Sequence, residues 1–378
     1  MLVRGRSWFL ALLATASSAA CSGADEEPHD RPRPPATTTE AHESAHEDEA
    51  PPATSRPDDV PLVRAQRSMM GTVYQISVVG EDEVAAQTAM GHALDEIDRL
   101  ETLLSEWRDD SEISRINAAA GRAPVQVGPE TMTIIDAGLV TAEQTNGAFD
   151  ITWAALRGLY LFQRGEERVP TDAEIAERLP LVGYRDVVVD HAASTVFLRR
   201  PGMAIGTGGI AKGYALDRAQ EILVREGFPN FMMFGGGQVQ LRGMRGDRVW
   251  RVGIQHPRRE DYIGYLDATD CAIATAGDYE HSFIDDEGRR WHHIIDLSTG
   301  RPAQGVVQVT VLTRTGLDAD AIDTGCFIMG VERCLDMLSR MPGYEAVIVD
   351  SDMRVHMTPG ARDRVTFRVP LDEGRIPL

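Results

Sequence analysis

One stretch constrains this chain more than any other: Ile205-Gly-Thr-Gly-Gly-Ile-Ala-Lys-Gly-Tyr-Ala-Leu-Asp217. Gly206, Gly208 and Gly209 make a turn, and a helix is expected over 210–226. Ala215, Leu216, Ala219, Ile222 and Leu223 form its apolar face, and Gly227 its stop. The glycines leave backbone N–H groups bare at the positive end of that helix, where phosphate is attracted. Lys212 sits in the first turn, where a cation opposes the helix dipole. Of 38 basic residues it is the single lysine, the other 37 being arginine. A chain that writes arginine everywhere else needs an ammonium at this point. The spacing is neither a Walker A loop nor a dinucleotide fingerprint. A plain strand-to-helix turn has the same glycines, so Lys212 carries the functional reading.

The rest of the chain mixes helices with hairpin-like strands. Apolar residues alternate over 64–79 around Met70-Gly71-Thr72, a hairpin signal. A long helix is expected over 81–107, with Leu94, Ile97, Leu100, Leu103 and Leu104 as its core stripe, and another over 129–145. Strands are expected at 184–189, 195–198, 231–234, 250–254, 271–274, 291–296, 306–312, 346–349 and 365–369, with one helix over 319–338. Interleaved helices and hairpins predict an α+β fold rather than a doubly wound parallel sheet.

The first 20 residues have a basic start, a short apolar run and then small residues up to Ser18-Ala19-Ala20-Cys21. The run is too short to span a bilayer and reads as a signal peptide. Small residues before a cysteine look like a bacterial lipobox, although Ser18 stands where leucine is usual. Lipidation of Cys21 is therefore expected, with the protein on the periplasmic side of a bacterial envelope membrane. Residues 21–62 form a Pro-, acid- and His-rich tether, leaving 63–378 as the folded domain. His29, His42 and His46 belong to that solvated arm. A net charge of −20 argues against a nucleic-acid partner. Cys271, Cys326 and Cys334 show no paired spacing and read as three buried thiols.

Two further clusters carry chemistry. Asp320, Asp323 and Thr324, at i, i+3 and i+4, place three oxygens on one helical face with Asp318 just before. Hard oxygen ligands suit Mg²⁺ or Ca²⁺; acids favouring a helix start for its dipole would show the same pattern. His293 and Asp296, in Trp291-His-His-Ile-Ile-Asp296, have the residue types of a general base and its partner. No GxSxG is present, which removes a serine-hydrolase reading.

Eight segments in order resemble one family. They are Met70-Gly71-Thr72, residues 105–117, Gly147-Ala148-Phe149-Asp150-Ile151-Thr152, the stretch from Gly208 to Ala215, Gly236-Gly237, residues 275–279, His293 to Asp296 with Thr299-Gly300, and Ala319-Asp320-Ala321 with Thr324. They resemble the ApbE family, the FAD:protein FMN transferases, over nearly the whole folded part. The resemblance implies a T-fold-related domain that takes FAD as substrate, uses Mg²⁺, and moves FMN onto a threonine hydroxyl of a partner, releasing AMP. Implied partners are subunits of membrane redox complexes of the Rnf or sodium-pumping quinone reductase type. They carry an Asp-Gly-small-Ser/Thr-x-Thr target.

Met70, Trp107, Ala148, Phe149, Asp150, Gly206, Lys212 and Ile294 fall at the family's FAD contacts. The Gly209 carbonyl, Asp320, Asp323 and Thr324 fall at its magnesium position, and His293 near the attacking hydroxyl. Gly206 departs from the acid common in the family, so only a backbone contact carries over there. Ala276 and Leu297 also depart, for serine and proline. An FAD pyrophosphatase giving FMN and AMP, and a non-catalytic flavin-binding lipoprotein, are the rival readings.

Overall fold

The computed structural model describes residues 60–368 and 370–377. The leader, Cys21, the arm up to residue 59, and Val369 lie outside them. Eight strands form the main sheet: β1 (Leu62–Met69), β2 (Thr72–Val79), β3 (Phe231–Gly235), β4 (Gln238–Arg242), β5 (Cys271–Gly277), β6 (Val306–Thr313), β7 (Glu345–Asp350) and β8 (Val355–Met357). Their order across the sheet is their order along the chain, and every neighbouring pair is antiparallel. Met70 and Gly71, with φ of 48° and 70°, make the first hairpin turn. Gly236 and Gly237, at 58° and 92°, make the second. Two positive φ values in a two-residue loop match the twist of the flanking strands. The α+β expectation holds.

Apart from a single turn at Pro359–Arg362, the helices enter as two insertions. Between β2 and β3 come α1 (Glu83–Leu104), α2 (Glu112–Ala118), α3 (Pro129–Gln144), α4 (Asp172–Arg178) and α5 (Ala211–Arg225). Between β6 and β7 come α6 (Gly316–Met329) and α7 (Val331–Leu338). Asp82 caps α1 by accepting from the Ala85 N–H at 2.9 Å. Its stripe of Met90, Leu94, Ile97, Leu100 and Leu104 is buried with Ala215, Leu216, Ala219 and Leu223 of α5 against Tyr74, Ile76 and Phe231 of the sheet. Each such large side chain, fully buried, contributes about 1.5–3 kcal/mol. α5 ends as expected, with Gly227 at φ 92°. The other face of β4–β7 packs on a small sheet of Trp250–Gln255, Tyr262–Ala268 and Val365–Phe367.

The strand expected at 184–189 starts only at Val187, after a 3-10 turn at Tyr184–Asp186, and three further expectations fail. The single helix over 319–338 is two, parted at Gly330 with φ 82°. That break corrects the cysteine reading as well. On a continuous helix, residues eight apart lie about 12 Å apart. The bend instead brings the Cys326 and Cys334 Cα atoms to 4.8 Å, where they form a disulfide; only Cys271 is a free buried thiol among the described residues. The strand over 291–296 is also broken. Arg290–His292 pairs with Ser282–Ile284, Ile295–Asp296 pairs with Arg301–Pro302, and His293 lies between them.

Candidate active site

The glycine turn positions the lysine. Unlike α1, α5 starts without a side-chain cap, at Ile210. Lys212 folds back so that Nζ donates to the Gly208 carbonyl. Its stem lies against the β3–β4 turn, where a Cβ on Gly236 would meet Lys212 Cδ and Thr72 Cγ2, each at 3.1 Å. The two hairpin turns and the helix start thus converge on one ammonium.

The acids arrive from α6. A Cβ on Gly213 would lie 1.9 Å from the Gly316 carbonyl oxygen, and one on Gly316 would lie 2.3 Å from the Gly213 oxygen. Two glycines therefore let α5 and α6 cross backbone to backbone. Asp217 ties the crossing by accepting from the Gly316 and Leu317 N–H groups at 2.7 and 2.9 Å. Asp320 then lies 3.7 Å from Lys212 Nζ. Its carboxylate accepts from the Gly213 N–H at 2.9 Å and from Gln238 Nε2 at 2.7 Å.

Asp320 and Asp323 are each 2% exposed. They are not helix caps: Thr315 caps α6, with Asp318 in its first turn. Burial raises the Asp320 pKa against the pull of Lys212. Burial, with the neighbouring Asp320 charge, raises Asp323 further. Asp323 receives a hydrogen bond from the Thr324 hydroxyl at 3.0 Å, its one side-chain bond among the described residues. Gly209 is adjacent, its Cβ position 3.8 Å from Thr324 Oγ1. Ionising both carboxylates beside one ammonium would leave a net negative charge, which is costly in a low-dielectric interior and which a bound cation would offset. Two carboxylates and the Thr324 hydroxyl are hard oxygen donors, and their chemistry fits a divalent ion.

His292 and His293 differ in exposure. His292 is buried, its Nε2 3.0 Å from the Ala303 carbonyl and its ring edge-on to Phe327. His293 is exposed to solvent, although protein surrounds it on most sides. The surrounding protein, then the charges of His281, His292 and Lys212, push its pKa down to about 3, so the imidazole is neutral near pH 7. Asp296 is not its partner. It accepts instead from the Ser298 N–H and hydroxyl at 2.9 and 2.7 Å.

Among the remaining expected residues, Phe149 meets the glycine turn directly. The Met70 Sδ accepts from the Tyr74 hydroxyl at 3.2 Å, and Tyr74 feels the charge of Asp320. Phe149 is buried, with its ring 3.3 Å from the Cβ position of Gly209. Ala148 and Ile294 pack in the core beneath α6. Trp107 is 72% exposed, with Arg157 over its ring at 4.9 Å. Asp150 is committed internally, accepting from Thr152 and from the Tyr184 N–H.

Gly206 is explained by Trp153, whose indole occupies the space of any side chain there, 2.7 Å from the Cβ position. The Gly206 N–H donates to Ile151 at 2.8 Å, and its carbonyl accepts from Trp153 Nε1 at 3.2 Å. Its backbone contact with a ligand is thereby limited to what that carbonyl has left. Three residues escaped the sequence reading: Gln238, Asp217, and Glu106, which is buried against Thr207 with Oε2 3.2 Å from Oγ1. For Gln238 a signal existed, a polar residue at an inward strand position after a glycine turn.

The sequence model of the ApbE family matches residues 70–348. An FAD:protein FMN transferase of Vibrio cholerae serotype O1 is 33% identical over 271 residues, covering 70% of this chain and 80% of that protein. One from Treponema pallidum is 31% identical over 315 residues, covering 79% and 87%. Among solved structures, the ApbE protein of Thermotoga maritima aligns with a TM-score of 0.75 at 33% identity, over 80% of this chain and 99% of that one. The flavin transferase ApbE from Vibrio cholerae aligns with a TM-score of 0.70 at 28% identity, over 80% and 100%.

Proposed function

This chain belongs to the ApbE family, and on that premise we propose that it is an FAD:protein FMN transferase acting in the cleft around Lys212. The observation that carries the reading is the meeting of Lys212 with Asp320, 3.7 Å apart beside an uncapped glycine turn. Lys212 and the turn hold the diphosphate of FAD by charge and backbone N–H groups. Asp320, Asp323, Thr324 and the Gly209 carbonyl would hold Mg²⁺, which when bound supplies charge neutralisation at the phosphate oxygens.

The acceptor is a threonine hydroxyl of a partner protein. Its oxygen bonds to the FMN phosphorus, the bond to the bridging oxygen breaks, and AMP departs with that oxygen. His293 takes the hydroxyl proton. A neutral imidazole is ready for this, and the anionic diphosphate opposes the Lys212 charge, easing proton uptake in the complex. The proposed partners are subunits of Rnf or sodium-pumping quinone reductase complexes. The proposed location is the periplasmic side of an envelope membrane, anchored through Cys21. The Cys326–Cys334 disulfide supports an oxidising compartment.

The test incubates the full chain with FAD, Mg²⁺ and a peptide bearing the Asp-Gly-small-Ser/Thr-x-Thr motif. The expected result is a peptide heavier by one FMN, with AMP released, and loss of transfer in His293→Ala. Release of FMN and AMP with no change in the peptide would make water the acceptor. FAD recovered intact would reject catalysis altogether.

A further inference from the structure

We infer that His281 is a positioning residue that orients the imidazole of His293 for transfer; this rests on the proposed role of His293. A general base needs a third group to fix its ring, and Asp296, the acid nearest in sequence, is engaged with Ser298. No side-chain hydrogen bond holds the His293 ring among the described residues. His281 is the neighbour that remains, and it meets His293 in two ways. Its carbonyl accepts the His293 backbone N–H at 3.1 Å. Its ring stands edge-on to the His293 ring, with centroids 5.4 Å apart and planes at 89°, a favoured aromatic geometry.

The hairpin holds this pair in register. Ser282 faces His292, Phe283 faces Trp291 and Ile284 faces Arg290, so residue 281 falls opposite residue 293. The hairpin is pinned by Trp291 Nε1 donating to Asp285 Oδ2 at 2.9 Å and by Arg290 Nη1 donating to Ser282 Oγ at 3.2 Å. The ring of His281 is itself exposed and makes no hydrogen bond among the described residues. Core stability does not account for it. The contact is ring packing, so another flat ring at 281 does the same work.

The experiment uses the full chain with FAD, Mg²⁺ and the target peptide. It measures kcat and the KM for FAD in His281→Ala and His281→Phe, and records imidazole ¹H–¹⁵N spectra of His293. His281→Ala is expected to lower kcat about 10-fold by loosening the ring, with the KM for FAD and the melting temperature unchanged. His281→Phe is expected to recover most of that loss. The His293 signal should broaden or shift in the alanine variant and return in the phenylalanine variant. A His281→Ala enzyme with wild-type kcat and an unchanged His293 spectrum overturns the inference. So does a phenylalanine variant as slow as the alanine one. Altered His293 spectra with full activity in His293→Ala would instead leave the packing intact and reject His293 as the base.

Discussion

Gly213→Ala tests how the site is assembled. In an isolated helix the change is favourable by about 1 kcal/mol, because glycine forfeits more backbone entropy. Here the new methyl would lie 1.9 Å from the Gly316 carbonyl oxygen and 2.4 Å from its carbon, where ordinary contact begins at 3.4 Å. Both atoms are backbone, so no rotamer change relieves the clash and α5 must move off α6 by more than an ångström. Overpacking of this kind costs about 1–3 kcal/mol and sometimes more. The same movement stretches the 2.9 Å bond from the Gly213 N–H to Asp320 and the 3.7 Å approach of Lys212. The net expectation is a loss of about 2 kcal/mol, which at ~2–4 °C per kcal/mol for a domain of this size lowers the melting temperature by roughly 4–8 °C. Metal-dependent transfer should fall more steeply than stability. A variant melting at or above the wild type, with full transfer, would show that helix propensity wins and the crossing is looser than described.

Two further outcomes follow from the buried acids. Burial favours the neutral form of Asp323, and Asp323→Asn keeps that neutrality, so without metal it should melt no lower than the wild type. With Mg²⁺ at about 100 times its Kd the wild type should gain roughly 2.7 kcal/mol and the variant little. An equal Mg²⁺ response in both, read by thermal melts, would release Asp323 from the metal. Asp217 concerns pH: burial raises its pKa to about 6, from 3.8. The folded state therefore holds this proton more tightly than the unfolded one. The cost is absent below about pH 4, grows as pH rises through 4 to 6, and reaches roughly 3 kcal/mol above that. Urea midpoints of wild type and Asp217→Asn should differ in slope across that window, with the variant flatter. Parallel profiles would contradict the assignment.

Much of the architecture was readable from local pattern. The Met70-Gly71 turn, the α1 stripe and the Gly227 stop each depend on residues a few positions apart, which set backbone angles and faces directly. The helix carrying Asp320, Asp323 and Thr324 was readable too, but as a possible dipole effect at a helix start; the structure places those acids a turn inside and buries them. The disulfide was unreadable because the Gly330 break that makes it was read as continuous helix. The displacement of an acid at 206 by Trp153 and the separation of His293 from Asp296 depend on contacts between distant segments.

The amino-acid sequence by itself settled which groups this protein possesses: one ammonium after a glycine turn, a row of oxygen donors on a helical face, a histidine three residues before an acid, and an α+β alternation. The tertiary structure decided which of them meet. Lys212 and Asp320 are 108 residues apart and come within 3.7 Å because two glycines allow a helix crossing that no other residue type fits. Helical and strand periods encode which face a side chain takes, whereas the approach of two such faces is set by packing, which no local spacing records.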